Sequence, residues 1–374
     1  MTRKSPLTFY EFFAGGGMAR LGLGENWRCL FANDFDPLKA ATYRANFSDA
    51  AEHFHQGDVW ALTPANLPGA ADLAWASSPC QDFSLAGNRA GLAGGRSSAF
   101  FGFWRLIEGL AADGRAPRVL VIENVGGLLT SHGGRDFTAL CGALAAQGYR
   151  FGALEIDAVH FTPQSRPRVF VVAVRDGAAP QGASEFHTRA VKAAHERLPD
   201  ALKACWIWWP LRAPEQRNID LAALLEPDSD CRWRSAAQTR ALLEMMDTRN
   251  RAKVEALVSV GGRHAGAVFR RMRAGAQRAE VRFDGVAGCL RTPRGGSSRQ
   301  LLLIVDEGKT KSRWLMAREG ARLMGLSDDY RLPNAQSPGL HVIGDGVVVP
   351  VVRHLAQHLL EPLLLAPIQT MAAE

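Results

Sequence analysis

The stretch Leu7-Thr8-Phe9-Tyr10-Glu11-Phe12-Phe13-Ala14-Gly15-Gly16-Gly17-Met18-Ala19-Arg20-Leu21-Gly22-Leu23 begins as an apolar run and breaks at three consecutive glycines before a further apolar segment. It reads as a strand, Leu7 to Phe13, turning sharply into a helix. Glycines at such a turn let the backbone approach a ligand closely, and the helix that follows presents free N–H groups to it. A dinucleotide fingerprint requires Gly-x-Gly-x-x-Gly. Here Gly15 and Gly17 are followed by Arg20 in the third place, which counts against a nicotinamide cofactor.

Working outward, short apolar runs recur at Cys29 to Ala32, Leu73 to Ala76, Val119 to Ile122 and Val169 to Val174, separated by segments of helical period. That alternation predicts an α/β fold, a parallel sheet covered by helices on both faces. The pattern stops near Asp176, where Gly177 to Ser184 reads as a linker, and Trp206, Trp208 and Trp209 then mark a change of composition. Toward the C-terminus, Ala317 to Met324 reads as a helix. Val347 to Leu365 is apolar enough to be a buried helix returning to the first domain, with Gly344-Asp345-Gly346 as a tight turn at its start. The expected division is therefore 1–177, 178–312 and 313–374.

Composition narrows the class. A chain of 374 residues with 47% hydrophobic content can bury a sizeable core. No apolar run reaches membrane-spanning length and the N-terminus has no signal-peptide core, so the expectation is a cytoplasmic protein. The six cysteines (29, 80, 141, 205, 231 and 289) are widely spaced, which points to neither a disulfide framework nor a zinc site. From Arg249 to Arg299 there are twelve Lys or Arg against three acids, a local +9 in a chain of net +7, leaving the remainder at −2. One basic segment on a near-neutral body is the footprint of a polyanion-binding module.

Several loops at strand ends carry reactive groups. Cys80, in Ser77-Ser78-Pro79-Cys80-Gln81-Asp82-Phe83-Ser84, follows the strand Leu73 to Ala76, and a thiol there is a natural nucleophile for an electron-poor carbon. Asp34 sits at the spacing at which a carboxylate accepts from both ribose hydroxyls of an adenosine ligand, Phe35 could lie on the adenine, and Asp58 could take its amino group. Glu123 emerges on the same sheet edge as Cys80. Gln164-Ser165-Arg166-Pro167-Arg168 brings two guanidiniums, and together these groups could grip a polar heterocycle.

In ordered succession, the chain resembles the DNA (cytosine-5)-methyltransferase family of bacterial restriction-modification type. The resemblance rests on the glycine turn at Phe13 to Gly17, Asp34, Gly57-Asp58, Pro79-Cys80-Gln81 with Phe83-Ser84, Glu123-Asn124-Val125, Gln164-x-Arg166-x-Arg168, Arg318-Glu319-x-x-Arg322-x-x-Gly325, and the C-terminal glycine turn with Val347. Two departures stand out: Asp345 occupies the place of the family's Asn in the last motif, and Glu11 that of its usual Asp in the first.

The resemblance implies a Rossmann-like S-adenosylmethionine-dependent methyltransferase sheet with a smaller target-recognition domain. It implies methyl transfer from S-adenosylmethionine to C5 of a cytosine flipped out of a specific double-stranded DNA sequence, with S-adenosylhomocysteine as product and no metal. Cys80 would add to C6. Glu123, kept protonated by burial, would act at N3, Arg168 would fix the base, and Arg166 would contact backbone or base near the thiol. Cofactor residues would be Phe13, Ala14, Gly15, Gly17, Asp34, Phe35, Asp58, Val59, Pro79 and Asp345.

DNA would meet Gln81, Ser84, Arg89 and Arg96 on a closing loop, and Arg291, Thr292, Arg294 and Arg299 on a loop entering the major groove. Arg270 and Arg271 would instead hold phosphates. The expected partners are double-stranded DNA and a restriction endonuclease sharing the target site, with no membrane and a monomeric state. The competing readings are a tRNA cytosine-5 methyltransferase and a catalytically silent DNA-binding regulator on the same fold.

Overall fold

The computed structural model describes residues 5–78, 99–176, 179–273, 275–292 and 299–366. Seven strands form the first sheet: β1 (Leu7–Phe12), β2 (Trp27–Asp34), β3 (Phe54–Gln56), β4 (Leu73–Ala76), β5 (Val119–Asn124), β6 (Arg150–Asp157) and β7 (Pro167–Val174). Their order is β3-β2-β1-β4-β5-β7-β6. β4 and β5 are buried at every residue, as expected of strands covered on both faces. β3 and β6 were not among the expected strands: the first is a short polar edge, and the second mixes charged and apolar residues.

The sheet departs from the all-parallel expectation at β7, which is antiparallel to both β5 and β6. No crossover helix separates β6 from β7; the connection holds only a single turn of 3₁₀-helix, Ala158–His160. A connection that short suits antiparallel neighbours, whereas parallel ones need a crossover. The reversal places the start of β7 beside the end of β5.

Helices α1 (Met18–Leu23), α2 (Pro37–Asn46), α3 (Ala50–His53), α4 (Ala99–Ala112), α5 (Arg135–Ala146), α6 (Arg189–Glu196) and α7 (Asp200–Lys203) accompany this sheet. The start of α2 is fixed locally: the Asp36 carboxylate accepts from the N–H groups of Leu38 and Lys39, and Pro37 needs no partner. Phe12, Phe103, Leu106, Ile107, Leu120 and Leu140 belong to the core cluster of this sheet, all essentially inaccessible.

The remaining elements are α8 (Ala236–Glu244), α9 (Thr248–Val260), β8 (Arg263–Arg273), β9 (Ala276–Arg282), β10 (Leu301–Asp306), β11 (Lys309–Trp314), α10 (Ala317–Leu323), α11 (Gln336–Asp345), α12 (Val349–Leu355) and α13 (Glu361–Leu365), the last two joined by a π-turn. β8 to β11 make an antiparallel sheet of order β11-β10-β8-β9. Its core contains Leu242, Met246, Val254, Val268, Leu301 and Leu303.

The chain divides into two compact units, Met1–Asp157 with Pro167–Pro214 and Val351–Glu374, and Ala158–Arg166 with Glu215–Pro350. Neither boundary falls at the composition breaks near 177 and 312. The tryptophan segment after the expected linker belongs to the first unit because it packs on β6 and β7: Ile207 N–H donates to the Phe151 carbonyl at 2.6 Å, and Trp209 Nε1 donates to the Val172 carbonyl at 3.2 Å. A side chain at Gly152 would run into the Ile207 carbonyl, so glycine permits that approach.

The chain rejoins the first unit only from Val351, since α10 and α11 stay in the second. There Arg353 donates to the Leu21 carbonyl at 2.7 Å and Glu361 accepts from Trp27 Nε1 at 3.0 Å. By length and composition alone, Gln336–Leu365 is long and apolar enough to cross a membrane. Most of it is buried inside the protein, as a core segment would be.

Candidate active site

Three loops at one edge of the first sheet are tied into a cradle by two residues at the end of β2. Asn33 accepts from Ala14 N–H through its carbonyl (2.9 Å), and its side-chain amide donates to the carbonyls of His55 (3.0 Å) and Gly57 (2.9 Å). Asp34 accepts from Gly15 N–H at one carboxylate oxygen and from Asp36 N–H at the other, both at 2.8 Å. Its own carbonyl accepts from Gly57 N–H at 3.0 Å. Burial pushes the Asp34 carboxyl up, against the pull of Lys39 and of these N–H groups.

The two glycines of the turn have different causes. A side chain at Gly17 would collide with the Phe47 ring, so packing against the end of α2 requires glycine there. Among the described residues, a Cβ at Gly15, where φ is +57°, would meet nothing within 4 Å. Phe13 also takes a positive φ of 58°, a costly conformation for an aromatic residue and a mark of a constrained turn. Phe35 is 75% exposed, an unusual state for a large aromatic. Asp58 is exposed and caps its own turn by accepting from Trp60 N–H at 3.0 Å, while Val59 is buried in the core.

Behind the cradle lies a buried acid that the sequence marked only as a conservative change. Glu11 is 1% exposed, and burial pushes its carboxyl up to about 8, with Arg20 opposing and Asp34 reinforcing the shift. Its Oε2 has no hydrogen-bond partner among the described residues. Arg20, the residue that breaks the dinucleotide pattern, forks onto Asp49 at 2.7 and 2.8 Å and lies 4.1 Å from the Phe47 ring centre.

At the ends of β4 and β5 the sheet gathers a second group. Arg168 Nε stands 3.2 Å from Glu123 Oε1, both side chains mostly buried. They meet because β7 runs against β5: Glu123 pairs with Phe170, and Arg168, two residues before Phe170 on β7, lies diagonally across from Glu123 on the same face. Asn124 donates to the Ser78 carbonyl at 3.1 Å and accepts from Val125 N–H at 2.9 Å. Ser77 is held as well, by Trp75 Nε1 at 3.0 Å on its hydroxyl. The strand leading to Cys80 is therefore anchored, two residues before the thiol, to the strand that carries Glu123. Pro79, Cys80, Gln81, Ser84, Arg89 and Arg96 lie outside the described residues, as does Arg294.

The structure separates Arg166 from Arg168. Arg166 belongs to the second unit, is 2% exposed, and donates to the carbonyls of Leu290 (2.7 Å), Gly344 (3.0 Å) and Gly346 (2.7 Å). The backbone it grips is the protein's own. Gln164 acts alongside it, donating to the Leu323 carbonyl and accepting from Leu290 N–H. Asp345 and Thr292, expected at the cofactor and at DNA respectively, are hydrogen-bonded to each other within the second unit. Gly344-Asp345 ends α11, so it is not a turn that merely starts the next helix. Arg291 is exposed, and Arg299 lies 5.3 Å from the Trp314 ring centre.

Sequence reasoning passed over Asn33 and Asn124 as structural ties, although each stands next to an acid that it had singled out. Among the described residues no group of three His, Cys, Asp or Glu is placed to hold a metal ion.

Comparison with known proteins agrees with this arrangement. The family described as C-5 cytosine-specific DNA methylase matches residues 7–361. The chain is 28% identical to the type II methyltransferase M.NlaX of Neisseria lactamica over 357 residues, 93% of this chain and 95% of that one. It is 24% identical to M.HhaI of Haemophilus parahaemolyticus over 358 residues, 94% of each. Among solved structures, the S. pombe Dnmt2 methyltransferase shares the fold with a TM-score of 0.63 at 17% identity, over 96% of this chain and 99% of that one. With a match running from the first strand into the last helix, the chain belongs to the C-5 cytosine-specific DNA methylase family and is a DNA (cytosine-5)-methyltransferase.

Proposed function

We propose that the protein methylates C5 of a cytosine flipped out of a specific double-stranded DNA sequence, using S-adenosylmethionine and a transient bond between Cys80 Sγ and ring C6. One observation carries this reading: the Glu123–Arg168 pair occupies the same strand end that anchors Ser78, on the approach to Cys80.

The cradle fits an adenosine cofactor. Each Asp34 carboxylate oxygen accepts one backbone N–H and retains acceptor capacity for a ribose hydroxyl. Phe35 offers an exposed aromatic face, and no described residue comes within 4 Å of where a Gly15 side chain would lie. Bound there, the cofactor would supply an electrophilic sulfonium methyl group.

The protein's own groups prepare the base. Cys80 thiolate adds to C6, forming the S–C6 bond and shifting the C5–C6 electron pair onto C5, while Glu123 supplies a proton to N3. Arg168 holds the Glu123 carboxyl and positions the ring. Once C5 carries the methyl group, loss of the C5 proton to a base restores the double bond, the S–C6 bond breaks, and N3 returns its proton. Arg166 is assigned a positioning role, since its guanidinium holds protein carbonyls.

The second unit is read as the DNA-reading part, on the strength of its +9 segment. The similarity to type II methyltransferases supports a restriction-modification setting. The test is to expose a plasmid library and, separately, unmodified tRNA to the protein with S-adenosylmethionine and sequence both after bisulfite treatment. Methylation confined to one DNA motif is expected. Cys80→Ala should abolish it while cofactor affinity by calorimetry stays nearly unchanged; persistent transfer by that variant, or transfer to tRNA alone, overturns the reading.

A further inference from the structure

Three arginines of the second unit converge on one indole. The guanidinium carbons of Arg270, Arg299 and Arg234 lie 5.0, 5.3 and 6.0 Å from the Trp314 ring centre. The sheet explains the gathering. Val268, Leu301 and Trp314 form one row across β8, β10 and β11, since Leu301 pairs with both of the others. That row packs on the core of the unit. Side chains two residues further along share its face, so Arg270 falls in the next row, and continuing the β8–β10 register sets residue 299 opposite it. Arg234 is pinned alongside by its N–H on the Ser312 carbonyl at 2.9 Å.

The charges of Arg234 and Arg270 repel, and a cation–π contact of about 0.5–2 kcal/mol each offsets only part of that. All four side chains are half-buried. Burial pushes the three guanidiniums below their ordinary range, and the charge of Arg234 lowers Arg270 further. Other arginines of the unit show the opposite: Asp228 raises Arg263 and Asp328 raises Arg322. Arg299 Nε is buried with no hydrogen-bond partner among the described residues.

We propose that Arg234, Arg270 and Arg299, gathered on Trp314, form a binding site for a backbone phosphate of the DNA. A phosphodiester brings one full charge and two free oxygens, a match for guanidinium forks held in place by an aromatic face. This revises the division made from sequence, in which Arg270 positions and Arg299 reads a base: both serve the same phosphate. It rests on the reading of the protein as a DNA methyltransferase and locates one of its grips.

The test titrates the full-length protein, with S-adenosylhomocysteine present, against duplexes with and without the methylated motif over a series of salt concentrations. Arg234→Gln, Arg270→Gln and Arg299→Gln should each weaken both duplexes by the same factor and reduce the salt slope, by at most about one. The motif methylated should not change. Arg299→Lys should keep the slope, and calorimetry with S-adenosylhomocysteine reports folding of each variant. An unchanged slope in folded Gln variants overturns the site, as does a loss confined to the motif-bearing duplex or an equal loss of slope in the Lys variant. If the wild type neither binds nor methylates duplex DNA, the functional reading falls as well, which separates the two failures.

Discussion

Glu11 and Asp34 of the first unit are held differently from Glu319 of the second. In the second, Glu319 forks onto Arg313 at 2.6 and 2.9 Å with both side chains about 1% exposed, and it also accepts the N–H groups of Met316 and Glu226. Arg322 is likewise paired, with Asp328 and Glu226. In the first unit, Glu11 leaves one oxygen unbonded among the described residues, and Asp34 is met by two backbone N–H groups. The difference separates structure from chemistry. A motif such as Arg318-Glu319-x-x-Arg322 identifies a family because it knots a fold together, whereas the acids at the sheet edge are held with capacity to spare.

The sharpest test of that contrast is at Glu123. Glu123→Gln keeps size and removes the ionisable carboxyl, so single-turnover methyl transfer should fall by roughly 10²- to 10⁴-fold, the usual worth of a positioned acid or base. Thermal stability should change little. Glu319→Ala should do the reverse: leaving Arg313 buried and unpaired is expected to cost about 3–5 kcal/mol in denaturant unfolding, with methyl transfer per folded molecule retained at permissive temperature. A Glu319 variant that stays stable yet inactive would erase the distinction between the units.

Next in size is Asp34→Ala. It removes the acceptor for Gly15 N–H and any ribose contact, and cofactor affinity measured by calorimetry should weaken by about 1–3 kcal/mol. Unchanged affinity would take Asp34 out of the site and leave it as a loop tie only.

Much of this contrast was legible beforehand, for identifiable reasons. β1, β2, β4, β5 and β7 each centre on an apolar run, and the glycines, Asp34 and Glu123 all mark strand ends, so pattern located both the sheet and its edge. Strand direction was not legible, because nothing in Val169 to Val174 encodes it; the short path from β6 does. The fates of Arg166 and Arg168 were hidden for the same reason. Identical residues two apart separate according to where the hairpin turns back, one onto carbonyls and the other onto Glu123. Burial of Glu11 depends on Tyr43, Arg20 and Cys29 meeting around it, which no local pattern records.

Glu11 gives the finest discrimination. Its carboxyl is ordinary in the unfolded chain, near 4.5, and is pushed up to about 8 on folding. Between those values the folded protein retains a proton that the unfolded chain has lost. That contribution to stability is whole below the unfolded pKa and drains away as pH rises toward 8. Each pH unit within the window should therefore reduce stability by about 1 kcal/mol. Glu11→Gln keeps the neutral shape and removes the titration, so its denaturant midpoint should fall less between pH 6 and 7 than that of the wild type. If the two proteins instead respond in parallel, Glu11 is ionised in the folded state and its charge is compensated, and the first unit then pairs its buried acids as fully as the second.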